Sequence, residues 1–577
     1  MSPSQVIVLA TPVFLGLIAI EVAWGWARQR NTYRLNDAIN SISLGMLSQI
    51  SAVLTRLFRV GIYTAVYGMV ALWHREAFWT SWFGWLLALV FYDLCYYWLH
   101  RIGHESAVFW AAHVVHHQSQ DYNLSTALRQ TSSGALLGWI FYVPMALAGV
   151  PPLVFGVVAL VDLLYQFWVH TEHVPKLGWF DRWFCSPSNH RVHHAVNARY
   201  IDRNYGGILI VWDRLFGTFV EEDEKCVYGT LSPLESWDPL WSNLEVYWSL
   251  ARDSWHTRHW GDKLRVWFKP AGWRPADVAT RFPKPAFDIA RIQRFDPPMT
   301  PARVVFAGAQ FLLLLVGSLL FLWHADSLPL ARSAAWLVAL SAGLWSLGAA
   351  MQGRISLLEA VLIEAAALSM ATSAAGMTEA FQVFKPLAMV LAIAFVFQRG
   401  RPPWTLVAAL AFSLAGDVLL MLPGQFIPGL VSFLAAHVCY IALFRRDAPW
   451  FASRKALVTT LGAAVVMYAV LFAHLGPVLK MAVAAYAVVI ALMAAQAIGR
   501  ASVMRDAGSV GVAVGSVFFM LSDSILAINK FAVPLPVAEF AILSSYYVAQ
   551  ILIAHHARTG GDRAQPAKTV ALAAEQV

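Results

Sequence analysis

The stretch His100–Asn123, HRIGHESAVFWAAHVVHHQSQDYN, carries five of the chain's 18 histidines within 18 residues. It follows directly on residues 85–99, WLLALVFYDLCYYWL, a run that is almost wholly apolar. A run of that kind enters a bilayer as a helix, because there the backbone must satisfy its own polar groups. One histidine at the end of such a helix is an ordinary interfacial residue. Five at close spacing point to ligation of a metal.

The rest of the chain extends the membrane reading. Of its 577 residues 58% are hydrophobic and 13% charged, too apolar a balance for a soluble protein of this size. Apolar regions near 5–26, 38–73, 79–99 and 134–169 fill the first third. The first lacks a basic leader and a small-residue cleavage site, so it reads as an anchor helix. The last is interrupted by GVPPLV, which splits it into two short helices, a re-entrant or shallow hairpin. From His170 to about Pro301 the chain turns polar, as a membrane-apposed segment would. About ten apolar runs then follow between Val304 and His556. The expected fold class is all-α: a polytopic integral membrane protein with a cytosolic, histidine-rich di-metal helical cap and a second, C-terminal transmembrane bundle. The expected divisions are 1–300, with core motifs at 80–230, a linking membrane region 301–334, a second membrane domain 335–556, and a disordered tail 557–577.

Basic residues suggest an orientation. Arg28, Arg30 and Arg34, then Arg399 and Arg401, Arg445, Arg446, Arg454 and Lys455, Arg500 and Arg505, and Arg558 fall on alternate loops. One threading puts them all in the cytosol together with His100. The net charge of +8, spread over loops, fits anionic lipid head groups and excludes nucleic acid as the partner. Cys95, Cys185, Cys226 and Cys439 form no CxxC pair and read as free thiols.

The histidines form four clusters: His100-x3-His104, His113-x2-His116-His117, His170-x2-His173 and His190-x2-His193-His194. On helices, each set would share a face. Ten imidazoles in 95 residues are too many for one tetrahedral zinc. They suit two five- or six-coordinate ions with open positions, and thiolate-free ligation suits iron.

The blocks HRIGHE, WAAHVVHHQSQDYNLSTALRQ, HTEHVPKLGW and SPSNHRVHH…YIDRNYGGILIVWDRLFGTF resemble the fatty acid hydroxylase/sterol desaturase superfamily of membrane di-iron enzymes. They look most like its alkylglycerol monooxygenases, over about residues 80–230. The resemblance implies that eight or nine of His100, His104, His113, His116, His117, His170, His173, His190, His193 and His194 bind two iron ions. It implies O2 as oxidant, tetrahydrobiopterin or another electron donor, and a membrane lipid as substrate. It places the chain in a bacterial inner membrane or an endoplasmic reticulum, with the iron facing the cytosol. Glu105 follows a ligand and either orients an imidazole or sits as an interfacial charge. Asp93 and Asp162 lie in apolar helices, about 10 Å of helical rise from His100 and His170. That is too far for a direct bond, so they hold a histidine of another helix, line the substrate path, or pair helices.

In the C-terminal half, Lys385, Asp417, Asp523 and Asn529 interrupt apolar helices. Such groups are functional candidates, with helix pairing as the alternative. FKPLAMV, AFSLAGDVLLMLP and FFMLSDSILAINKF resemble the YhhN/TMEM86 family, whose characterised members are lysoplasmalogenases. The resemblance implies vinyl ether hydrolysis with Asp417 and Asp523 as the catalytic carboxyls, and Lys385 as a phosphate ligand or an aspartate's partner. The threading sets these aspartates nearer the face opposite the iron. The leading expectation is a bifunctional ether-lipid enzyme. Its rivals are a di-iron hydroxylase of a fatty acid, sterol or carotenoid with an inactive or structural C-terminal half, and a metal transporter or sensor. The last fits poorly, because transporters keep their charges near the midplane and repeat their halves.

Overall fold

The computed structural model describes residues 2–56, 61–73 and 75–557. The expected disordered tail lies outside the described residues beyond Ala557, as does Arg558. Among the described residues all regular structure is helical, relieved by two isolated bridges, Phe184 with Leu209 and Ala195 with Tyr228. Twelve helices are long and apolar enough to cross a bilayer, so the chain is a multi-pass integral membrane protein.

The chain forms two compact units. The first comprises Met1–Ser333 and Leu347–Arg354. Its long helices include Pro3–Ala27, Leu35–Arg56, Trp82–Glu105 and Pro301–His324. Their starts are written in the sequence: Ser2 and Gln5 form a capping box, and the Ser81 hydroxyl accepts from Gly84 N–H at 3.1 Å. Pro151 and Pro152 break the fourth apolar region into Gly134–Leu147 and Pro152–Trp168, both too short to span. The polar stretch folds partly into Pro239–His256 and Trp260–Phe268. These helices expose Trp248, Trp255, Trp260, Leu264 and Phe268, side chains typical of a membrane-interface belt.

Three elements of this unit bring the histidines inward. Trp82–Glu105 carries His100 and His104 on its last turns. Pro187–His194, capped by Ser186, carries His190, His193 and His194. The middle cluster departs from the helical face expected of it. Val114–His117 is a 3-10 turn with His113 just before it. That tighter winding sends His116 away from His113 and His117, an outcome the α-helical spacing rule does not give.

The second unit comprises Ala334–Ser346 and everything from Ile355 onward. Its helices are Leu357–Ala375, Thr378–Gln398, Trp404–Met421, Phe426–Arg445, Arg454–Phe472, Pro477–Met504, Ala507–Ala527 and Ala538–His556. The core mixes small residues such as Ala366, Ala388, Ala409 and Ala497 with Phe433, Tyr440, Phe519 and Tyr546. Small residues let backbones approach closely where lipid gives no hydrophobic drive to associate.

Candidate functional site

Nine of the ten clustered histidines gather into two groups. His100, His104, His113, His117 and His193 form one; His116, His170, His190 and His194 form the other. Within each group one nitrogen per ring lies within 4.8 Å of all the others. His117 and His194 stack across the two groups, with ring centroids 4.3 Å apart. His173 joins neither group, and its buried Nε2 has no hydrogen-bond partner.

The outward nitrogens decide what the inward ones can do. His116 Nδ1 lies 2.9 Å from the Arg129 carbonyl, and His170 Nδ1 lies 2.8 Å from the Gln166 carbonyl. A carbonyl only accepts, so both Nδ1 atoms carry the proton and both Nε2 atoms carry lone pairs. Yet those two Nε2 atoms face each other at 3.1 Å. Two lone pairs that close repel unless a cation lies between them. An ion about 2.1 Å from each nitrogen sets neighbouring ligand atoms roughly 3.0–3.4 Å apart. In the first group, Nδ1 of His100, His104 and His193 faces the Tyr205 carbonyl, Asp202 Oδ1 and the Arg203 carbonyl at 2.8, 3.3 and 3.0 Å. The Nε2 atoms of these three rings are buried without a protein partner. The donor set therefore fits two metal ions, with outer hydrogen bonds aiming five of the nine rings.

Four of these outer partners are backbone carbonyls, which no residue-type search reveals. The fifth, Asp202, stands in the quoted YIDRNYGG block without having been singled out. The loop that supplies Arg203 and Tyr205 is itself clamped. Asp213 accepts from Tyr205 N–H and Gly206 N–H, both at 2.8 Å. Asp93 accepts from Ile208 N–H, Leu209 N–H and the Trp212 indole at 2.7, 3.0 and 2.8 Å. Asp93 thus acts on the histidines through this loop and contacts none of them directly. Asp162 lies against Asp93 and accepts from Gln166 at 2.6 Å. A Cβ on Gly207 would meet Asp162 Oδ1 at 2.8 Å and Asp93 Oδ1 at 2.9 Å, so glycine is required there for the loop to come this close. Glu105 reaches no imidazole; it pairs with Arg101 at 2.9 Å on a partly exposed surface.

Asp93→Ala is expected to leave three buried N–H donors without an acceptor. At about 1–3 kcal/mol for each orphaned group, the loss is several kcal/mol. A thermal melt should show it as a clear fall in Tm, with Asp93→Asn intermediate because the amide oxygen still accepts. A Tm for Asp93→Ala equal to wild type would mean that the clamp is not structural.

Burial, reinforced by repulsion from neighbouring imidazoles, holds His113, His117, His170, His190, His193 and His194 well below the ordinary histidine range. Burial brings His116 down to about 4. The folded values lie below the unfolded one, so the neutral rings contribute stability above about pH 6.5, and that contribution is lost as pH falls toward the folded values. Metal content after dialysis is accordingly expected to hold at about pH 6, where a free imidazole is already mostly protonated, and to fall as the pH is lowered further. Half-release at pH 6 would contradict the buried, neutral shell.

The second unit holds a different cluster. Lys385 Nζ lies 3.3 Å from Asp417 Oδ1, and the Tyr546 hydroxyl donates to Asp417 Oδ2 at 2.5 Å. The Tyr486 hydroxyl donates to Asp523 Oδ2 and lies 2.9 Å from His437 Nε2. Asp417 and Asp523 come within electrostatic reach of each other. Asn529 stands apart from these pairs, its amide oxygen accepting from Leu535 N–H at 2.9 Å in a π-helical turn. Tyr486, Tyr546 and His437 were missed by sequence reasoning. An isolated tyrosine or histidine in an apolar helix carries no spacing signal.

The first unit thus gathers two all-histidine groups that could each hold a metal ion, and the second is a helical bundle with two carboxyls in electrostatic reach of each other. The fatty acid hydroxylase model matches residues 85–218, and the YhhN family model matches residues 380–557. An alkylglycerol monooxygenase of Danio rerio is 40% identical over 320 residues, covering 53% of this chain and 68% of the relative. An alkylglycerol monooxygenase of Homo sapiens is 41% identical over 267 residues, 46% of this chain and 59% of the relative. The lysoplasmalogenase TMEM86B of Sus scrofa is 35% identical over 167 residues, 29% of this chain and 69% of the relative. No solved structure matches. The chain belongs to the fatty acid hydroxylase family through its first unit and to the YhhN family through its second. It is an enzyme, and its first half is of the oxidoreductase kind.

Proposed function

We propose that the first unit cleaves the alkyl ether bond of glycerol ether lipids and that the second hydrolyses vinyl ether lysolipids. The observation that carries the first reading is the pair of Nε2 lone pairs on His116 and His170, facing each other at 3.1 Å. His100, His104, His113, His117 and His193 hold one iron, and His116, His170, His190 and His194 hold the other. When bound, the two irons supply O2 activation and oxidation of a C–H bond, with tetrahydrobiopterin or another donor providing electrons. The chain's own residues hold the rings neutral, fix their tautomers and keep water out. Hydroxylation at the carbon beside the ether oxygen yields a hemiacetal, which collapses to a fatty aldehyde and a glycerol product. An alkyl ether is favoured over a fatty acid, sterol or carotenoid by the relatives that cover most of this unit. The His173 ring is a neighbour of the centre and not a ligand.

The domains run 1–300, 301–334 and 335–556. The iron centre faces the cytosol, where basic loops and an electron donor meet. In the second unit, Asp417 and Asp523 are the catalytic carboxyls, a reading supported by their closeness and by the lysoplasmalogenase relative.

The test is aldehyde release by the purified, iron-loaded protein given O2 and a reduced pterin. Alkylglycerol should yield fatty aldehyde only with O2, and alkenyl lysolipid should yield it without. Hydroxylated fatty acid or sterol, with no aldehyde from alkylglycerol, would overturn the ether assignment.

A further inference from the structure

The two carboxyls of the second unit are not equivalent. Asp417 is enclosed, with Oδ1 facing the Lys385 ammonium at 3.3 Å and Oδ2 taking the Tyr546 hydroxyl at 2.5 Å. Its side chain is 3% exposed, and both of its oxygens are engaged. Asp523 keeps 17% of its side chain exposed, and only its Oδ2 is engaged. Tyr486 donates to that Oδ2, and the Tyr486 oxygen lies 2.9 Å from Nε2 of His437, a ring with no exposed surface. His437 Nε2 is also 3.5 Å from Asp523 Oδ2.

Hydrogen-bond direction then fixes where a proton on Asp523 can sit. The Tyr486 proton points at Oδ2, so an acid proton belongs on Oδ1, the free and accessible oxygen. With its own proton given to Asp523, the Tyr486 oxygen can accept from His437 in the tautomer that carries the proton on Nε2. With one oxygen facing an ammonium and the other taking a hydroxyl, Asp417 has no free oxygen from which to offer a proton. A carboxyl held by a neutral hydroxyl can carry a proton and release it.

Resting on the vinyl ether reading above, the geometry points to Asp523 as the general acid of this site. Tyr486 and His437 are its positioning residues, and the Lys385–Asp417 pair supplies fixed charge behind it. In the first step the Asp523 Oδ1–H bond breaks and the proton joins the alkene carbon remote from oxygen. The C=C electron pair forms that C–H bond and leaves an oxocarbenium ion, which the Asp417 carboxylate stabilises. Water then bonds to the cationic carbon and returns one proton to Asp523. The resulting hemiacetal loses its hydroxyl proton as the bond to the glycerol oxygen breaks. That oxygen takes up a proton, giving the fatty aldehyde and the chain-free glycerol head-group alcohol, with no net oxidation.

The groups that face Asp523 are Tyr486 and His437, with Asp417 and its Lys385 partner within electrostatic reach. Lys530 lies beyond the end of its helix, over the Phe426 ring. The experiment is a pH–rate profile of aldehyde release from an alkenyl lysolipid in the full-length protein. Wild type should lose rate at high pH, as the acid ionises. Asp523→Asn should lose at least 100-fold in kcat and with it the high-pH limb. Asp417→Asn should lose about 10-fold and keep the limb. Tyr486→Phe should lower kcat by about 10-fold with KM within twofold, and move the half-maximal rate to higher pH. His437→Phe should act in the same direction, and His437→Gln, which keeps an N–H donor, should recover much of the loss. A limb lost in Asp417→Asn but kept in Asp523→Asn would overturn the assignment. So would an unchanged profile in Tyr486→Phe and His437→Phe. A wild-type protein that releases no aldehyde from the alkenyl lipid would overturn the reading of the unit and this assignment with it.

Discussion

Replacing His117 by alanine is expected to abolish the proposed alkyl ether cleavage while the protein stays folded. His117 belongs to the five-histidine group, its Nε2 lies 3.1 Å from that of His113, and its ring stacks on His194 of the other group. Removing it takes a ligand from one ion and a wall from the space beside the second. Loss of an outer partner of a metal ligand typically costs 10–100-fold, so loss of the ligand itself should exceed that range, at about 1000-fold. The fold survives because the helices bearing the other rings do not depend on this side chain. His173→Ala is the control: it lies outside both groups and should retain activity within about threefold. Aldehyde release and metal content, measured together on both variants, check the expectation. A fully active His117→Ala protein would remove His117 from the ligand set.

The second large effect is selective. Asp523→Asn should reduce aldehyde release from alkenyl lysolipid by at least about 100-fold and leave alkyl ether oxidation unchanged. His193→Ala should do the reverse. The two chemistries draw on residues of separate units, with no shared side chain. The amide preserves the shape of the carboxyl but cannot serve as the acid. The amide also keeps the size and polarity of the neutral acid, so Asp523→Asn should melt close to the wild-type temperature. If either variant lost both activities while its Tm held, the two-site account would fail.

The fold was legible because its strongest determinant is one-dimensional. The roughly ten apolar runs expected between Val304 and His556 became ten helices, and Pro151–Pro152 broke the chain where proline must. The histidines were legible because repeated spacing is rare by chance. Their partition was not. It turns on a 3-10 turn at Val114–His117 that diverts His116 to the second group. It turns also on carbonyls of Arg129, Gln166, Arg203 and Tyr205, which every residue possesses. Asp93 was legible as an important buried charge but not as a clamp on a loop 115 residues away in sequence. Likewise Tyr486 and His437 meet Asp523 from different helices, a convergence that only packing creates.

The most direct test of the central claim is the iron content of the intact protein after purification and loading under reducing conditions. Nine imidazoles in two groups predict two iron atoms per chain. One iron per chain, or none, in a preparation with full alkylglycerol-cleaving activity would contradict the two-metal centre.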